Sequence, residues 1–455
     1  MTSPPAPASV LAPLSDCVPF YEAMMADTLR LIVDRYARRR RFLDTKFSII
    51  TGQDFPPPGP ARSIYDPDIV YGWLHGRALE SLAGHLRWLP RARSLSPQVR
   101  DDLARRLRDM LVSLLEAGET LRRRNQGKAY FMCDETGQPL GVVNGAVTPL
   151  DPPPSAIGYA DIFGAKGLFA AAKFLDRPGL ARQAEARFKT VLNAVLDESF
   201  ASDQQTMNPR MPVPPPVPGR FSHGPRMIAL GGLALLAQES SDPAWIAAGL
   251  DVIHHVLDRH ANHGQRADLA LWDFWENADA RGQPWVENGM ILCNPGHTLE
   301  FVGFAAKFLL AAQRAAAGAP ACKQTLERCR AALPGLLRNM FELGFNAELG
   351  GIYVRVDLAA RRPTSPNMPW WPLPETMRAA ALVAALFPET AAQAIAIFRR
   401  CHQAFARYIN PAVGHMAYQT RGADGKPVDA IPAVPDADPG YHTGLSMIDA
   451  LTLIP

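Results

Sequence analysis

The chain has 455 residues, 47% of them hydrophobic, and its 47 basic and 44 acidic side chains leave a net charge of +3. A chain of this length can bury a large core, and so even a charge balance offers no basic stripe for nucleic acid or for an anionic membrane surface. No apolar run reaches the ~18 residues a membrane span needs. Residues 1–14 carry four prolines and no basic residue, a poor secretory signal. A cytoplasmic location is the expectation. The six cysteines (17, 133, 293, 322, 329 and 401) form no CxxC pair and read as reduced thiols without a zinc set.

Residues 1–15, rich in Pro, Ala and Ser, are expected to form a disordered extension, and 16–455 a single domain. Apolar residues at helical spacing predict a helix over 17–40. The stretch 44–68 holds five prolines and two glycines and must be mostly loop. Helices follow over 71–89 and 97–123, then a small hairpin of 129–133 with 140–143. The pair 159–175 and 179–200 is split by Arg177-Pro178-Gly179. Six prolines in 209–218 make a rigid loop. Helices over 221–238 and 243–260 come next, then a hairpin signal in 271–274 and 284–286 around Asp279-Ala-Arg-Gly282. Helices over 295–313 and 321–343 follow, the second interrupted at Pro334-Gly335. A short strand over 352–356 precedes helices over 372–387 and 390–408, a hairpin of 415–420 with 426–428, and a closing helix over 441–453. About twelve helices in sequential pairs, with no strand long enough for a sheet core, predict an all-α fold: an (α/α)6 toroid, six helices inside and six outside, with short β-hairpins at its mouth. An open solenoid is the alternative.

In such a ring the entries to the inner helices converge on one mouth, and several of those entries are polar. In Asn294-Pro-Gly-His297-Thr-Leu-Glu300, Pro and Gly start a helix, and His297 and Glu300 then share one face of it. Such a pair suits acid/base chemistry on a rigid element, although a simple helix cap explains it too. Arg77 lies in His75-Gly-Arg77, where a guanidinium could hold an oxyanion or instead a surface carboxylate. His223 stands before Gly224-Pro-Arg-Met227 and alone reads as structural. Trp272-Asp-Phe-Trp275-Glu276 and Trp370-Trp371-Pro-Leu-Pro-Glu375 offer aromatic faces for a sugar ring, or simply core. Glu375 in a first helical turn is also explained by the macrodipole. Gly440-Tyr-His442 puts a second His at a helix mouth. His254, His255, His260 and His263 read as surface. HExxH, a Walker loop, GxGxxG and GxSxG are absent, so hydride and acyl transfer have no support.

These segments resemble the N-acylglucosamine 2-epimerase superfamily, which also holds cellobiose 2-epimerases and mannose or sulfoquinovose isomerases. The likeness runs through Gly76-Arg77, Tyr159-Ala-Asp161-Ile-Phe163, Pro225-Arg-Met227-Ile, Asn294 to Glu300, Trp370-Trp371-Pro to Glu375, and Tyr441-His442. It implies an (α/α)6 barrel and proton transfer beside a sugar aldehyde through an enediolate. By position it implies His297 and His442 as the acid/base pair, Arg77 on the developing oxyanion, and Glu300 orienting His297 or binding a hydroxyl. Trp371, Glu375, Asp161 and His223 would be substrate-binding residues. Neither metal nor nicotinamide cofactor is required. The expected partner is a small sugar, with no nucleic acid or membrane, and a homodimer is compatible with it. The expected reaction is epimerisation of N-acetylglucosamine and N-acetylmannosamine or a related aldose, with aldose–ketose isomerisation of a mannose-like sugar as the alternative. Met227, where some isomerases of the superfamily have a third His, tilts the balance toward the first. A glycoside hydrolase on the same toroid, with Asp161, Glu276 or Glu300 as its carboxylates, is the more remote reading.

Overall fold

The computed structural model describes residues 10–39, 41–55, 62–143, 146–205, 217–240, 242–315, 319–430 and 434–455. Most of the two proline-rich loops, 55–60 and 212–218, lies outside these residues. So does 1–9 of the expected disordered start. Within residues 10–15 of that start, Leu11 is fully buried just ahead of a 3₁₀ turn at Ala12–Cys17, and Leu14 is fully buried inside it.

Twelve helices are present among the described residues: α1 Val18–Arg39, α2 Gly72–Trp88, α3 Pro97–Arg124, α4 Tyr159–Phe174, α5 Pro178–Leu196, α6 Gly224–Glu239, α7 Ala244–His260, α8 Pro295–Ala315, α9 Pro320–Gly344, α10 Pro372–Leu386, α11 Ala391–Phe405 and α12 Ser446–Leu451. The last is led in by a π turn at Tyr441–Leu445. The even-numbered helices pack successively against one another, and α12 with its π turn closes back onto α2. The odd-numbered helices form the outer layer, which gives the expected (α/α)6 toroid.

Sequence sorts the two layers. Outer α3 buries Leu103, Leu107, Met110, Leu111, Leu114 and Leu115, one stripe at helical spacing, and shows charge to solvent. Inner α10 has no polar face: every residue of 372–385 is buried. Inner helices also carry small residues where neighbours cross. A Cβ on Gly167 of α4 would stand 2.2 Å from the Gly76 carbonyl of α2, and one on Gly76 would stand 2.4 Å from the Phe163 carbonyl. These two helices meet backbone to backbone, and only glycine permits it.

Three expectations differ from the structure. The helix α9 runs unbroken through Pro334. Its apolar face Leu333, Leu336, Leu337 and Met340 is fully packed, and that outweighs the backbone bond proline removes. The expected hairpin of 129–133 with 140–143 is re-paired: Met132–Asp134 pairs with Ile69–Tyr71, and Leu140–Val143 with Ala146–Pro149. Near 271–286, Asn277–Ala278 pairs with Phe221–Ser222, while Val286–Glu287 joins a four-stranded sheet through Met290–Cys293. These short pairings bind the loops across helix entries instead of closing local hairpins.

Replacing Gly167 by Val forces α2 and α4 apart. The variant is expected to lose about 1–3 kcal/mol of stability, read as a lower urea midpoint at unchanged m-value.

Candidate active site

At one end of the ring, residues from α2, α4, α6, α8 and the turn before α12, with Trp371 at the head of α10, surround a cavity of about 480 Å³. The start of α8 is set by Asn294, whose side-chain oxygen accepts from the His297 backbone N–H at 3.3 Å. His297 therefore points into the mouth, with 34% of its side chain exposed, and Glu300 sits one turn deeper with 2% exposure.

His297 donates from Nδ1 to Glu276 Oε1 at 2.9 Å. The other Glu276 oxygen lies 3.4 Å from Nε2 of His223, which is fully buried at the N-terminus of α6. The pairing of Asn277–Ala278 with Phe221–Ser222 brings these two loops together. Burial by itself raises the Glu276 pKa, but His297 and His223 bring it well below the usual carboxylate range. Burial likewise lowers that of His297, yet the Glu276 carboxylate outweighs it and leaves the imidazole above its ordinary value.

The second imidazole is held in the same way. His442 donates from Nδ1 to Glu375 Oε1 at 2.9 Å, and the second oxygen of Glu375 takes the Arg378 guanidinium. Behind it Arg378 reaches Asp449 at 3.9 Å, and Asp449 binds Lys307 at 2.8 Å. Burial opposes the charge on Glu375, while Arg378 and His442 hold its pKa down. The Asp438 carboxylate accepts the backbone N–H groups of Tyr441, His442 and Thr443, so it caps the turn that carries the histidine. Gly440 precedes that turn at φ +82°, and a Cβ there would meet the His85 ring at 2.8 Å. Both histidines thus spend Nδ1 on a carboxylate and keep Nε2 for the cavity.

The Trp371 indole lies between them, 5.4 Å from the His297 ring and 5.6 Å from the His442 ring. It sits flat on the start of α8 because residue 296 is glycine; a Cβ there would be 2.7 Å from the indole. Arg77 spreads its guanidinium over Phe163 at 4.3 Å and Tyr441 at 5.1 Å, and its Nε has no hydrogen-bond partner. Glu300 Oε1 also lacks a partner. Burial, with the neighbouring Glu375, raises the Glu300 pKa and favours its protonated form.

Of the residues expected in the site, His297, His442, Arg77, Glu300 and Trp371 line the cavity, and Glu375 stands directly behind His442. Asp161 does not line it. Its carboxylate is taken by Lys128 at 2.6 Å, Arg187 at 2.8 Å and the backbone N–H groups of Ala129 and Gly158, a cap at the head of α4. His223 does not line it either, since it sits behind Glu276. Trp272 and Trp275 are packing residues: Trp275 is 1% exposed and donates to the Arg259 carbonyl, and Trp272 presses on Gly335. His260, expected at the surface, is buried with Nδ1 3.0 Å from the Trp275 carbonyl. Sequence reading missed Arg378 and the rim residues Gln204, Arg355 and Asn367. It noted Glu276 as a neighbour of tryptophans and as a possible hydrolase carboxylate, not as the partner of His297. Two sets, His223-Glu276-His297 and Glu300-Glu375-His442, have potential metal-ligand atoms within 4.8 Å of one another.

A sequence model of the N-acylglucosamine 2-epimerase (GlcNAc 2-epimerase) family matches residues 159–443, more than half of the chain. The chain belongs to this family. It is accordingly a carbohydrate epimerase or isomerase, and of the residues lining the cavity Trp73 and Arg77 lie ahead of the matched region. Among solved structures, a D-mannose isomerase superposes with a TM-score of 0.68 at 12% identity, covering 96% of this chain and 98% of its own. A cellobiose 2-epimerase from Bacillus thermoamylovorans gives 0.63 at 12% identity, over 96% and 99%. One from Spirochaeta thermophila gives 0.60 at 12% identity, over 98% and 96%. At such identities these likenesses establish the shared fold. Comparison with curated protein sequences gives no match. No helix among the described residues is long and apolar enough to cross a membrane.

The Glu276 carboxylate is what holds His297 above its ordinary pKa, so Glu276→Gln should move the acidic limb of the kcat/KM profile to lower pH. The sign is that of a histidine base, which is lost on protonation. His223→Phe, which keeps a ring but removes the hydrogen bond to Glu276, should move the same limb and lower kcat by about tenfold. An unchanged profile with an unchanged kcat in both variants would separate this carboxylate from the chemistry.

Proposed function

We propose that the protein moves a proton at C2 of an open-chain aldose, interconverting N-acetylglucosamine and N-acetylmannosamine or a closely related sugar. The observation that carries this reading is the pair of imidazoles facing one cavity across Trp371, each held through Nδ1 by a buried carboxylate. The C2 hydrogen beside an aldehyde is only weakly acidic, so a site for its removal needs a base, an acid and a stabiliser for the enolate, which is an enediolate where C2 carries a hydroxyl. A neutral Nε2 of one histidine takes the C2 proton. The electron pair moves into the C1–C2 bond, and the carbonyl π pair moves onto O1. The Arg77 guanidinium stabilises that oxyanion, and Glu300 beside it is placed to bind a sugar hydroxyl. The other histidine, as imidazolium, returns a proton to C2 from the opposite face and inverts it. In the reverse direction the two exchange roles. Trp371 offers a flat wall for the sugar carbons.

Delivery of the proton to C1 instead would make a ketose, and the same residues serve that reaction. The cavity favours either over a hydrolase. Its one lining carboxylate is Glu300, since Glu276 and Glu375 are bound to histidines, whereas hydrolysis wants two free carboxyls across the bond.

The test is proton NMR in deuterated water with N-acetylmannosamine and, separately, mannose. The expected outcome is deuterium at C2 together with the C2 epimer, and His297→Ala or His442→Ala should each cut turnover by about 10²–10⁴-fold. Ketose without epimer would move the assignment to the isomerase. Retained turnover in His442→Ala with loss in Glu300→Ala would move it to hydrolytic chemistry.

A further inference from the structure

We infer that the aldose handled here carries an anionic group remote from C2, bound at the cavity mouth by Arg355. This rests on the proton-transfer reading above and narrows its substrate class. Among the described residues two guanidiniums line the cavity, that of Arg77 and that of the solvent-exposed Arg355. Neither forms an ion pair with any carboxylate among the described residues. The stretches outside that set, 1–9, 40, 56–61, 144–145, 206–216, 241, 316–318 and 431–433, contain no Asp or Glu, so they hold no hidden partner. The sole carboxyl lining the cavity is Glu300.

Several other arginines do have acids. Arg220 has Glu287 at 3.4 Å, Arg361 has Asp273 at 2.6 Å, and Arg187 has Asp161 at 2.8 Å. Arg77 has a task in the reaction, holding the oxyanion, but Arg355 has none. Its position is set by the small sheet: Val356 pairs antiparallel with Cys293, which brings Arg355 opposite Asn294, the cap of the helix that carries His297. A sugar with C1 and C2 between the two histidines would extend its far end toward this rim. Asn367, Gln204 and Thr420 add neutral hydrogen-bonding groups to the lining, and none of them supplies a negative charge. A planar guanidinium with free donors matches a phosphate, sulfonate or carboxylate through paired hydrogen bonds. A neutral hydroxymethyl group would leave that exposed guanidinium to solvent and gain nothing from its charge.

The test uses the full-length protein and C2 deuterium exchange, comparing N-acetylmannosamine with its 6-phosphate, and mannose with its 6-phosphate, its 6-sulfonate analogue and mannuronate. The expected result is a kcat/KM for at least one anionic sugar about tenfold or more above its neutral parent. That advantage should shrink as salt rises, and Arg355→Gln should bring the anionic-to-neutral ratio toward one, mainly through KM. The identity of the preferred sugar distinguishes phosphate, sulfonate and carboxylate. Neutral sugars exchanging as fast as every anionic one would overturn this inference and leave the proton-transfer reading standing, as would a ratio that Arg355→Gln does not change. Exchange with none of the sugars would overturn both.

Discussion

Each of the two cavity histidines is fixed by one hydrogen bond, from Nδ1 to a carboxylate that lies deeper in the protein. That bond settles which nitrogen faces the cavity and how the ring is turned. A buried carboxylate is costly unless its second oxygen also has a partner. Glu276 finds His223 there, and Glu375 finds Arg378. The two arrangements differ in charge. Glu375 leans on a permanent cation and on the Asp449–Lys307 pair behind it, whereas Glu276 leans on a second imidazole. Two chemically similar histidines thereby receive different surroundings, a useful property where one must give up a proton as the other takes it.

The toroid makes this possible by separating packing from chemistry. The inner helices approach closely through glycine and alanine, and the Gly76–Gly167 contact sets Arg77 against Phe163. Their N-terminal ends open on the cavity, where polar residues can be placed without breaking the helical core. Loops that would otherwise wander are tied across the mouth by two-residue strand pairs, and one of those ties brings Glu276 beside His223.

The fold was largely legible because inner and outer helices have different apolar patterns, and because proline and glycine mark the breaks between them. Pro334 misled because a fully packed helix face tolerates a missing backbone bond. Strand pairing was harder to read: Met132–Asp134 looked like half of a local hairpin, but its partner is Ile69–Tyr71, and nothing in a short strand names a distant mate. For the site, motifs at helix entries pointed to the cavity residues His297, His442, Arg77, Glu300 and Trp371. What they could not resolve was which acids face the cavity and which stand behind it. Asp161 and Glu300 look alike in sequence, and only the Lys128 and Arg187 side chains packed onto Asp161 reveal it as a cap.

The π turn at 441–445 has a kinetic consequence. It delivers His442 from the last helix of the ring, while Glu375 and His297 arrive much earlier in the chain, and its docking requires the seam between α12 and α2 to close. Contacts so distant in sequence carry a high loop-closure cost and form late. A folding intermediate with five helical pairs in place would already resemble the native protein by its helix content, yet it would hold only one of the two imidazoles. Recovery of activity during refolding would therefore trail recovery of secondary structure and report on the last seam alone.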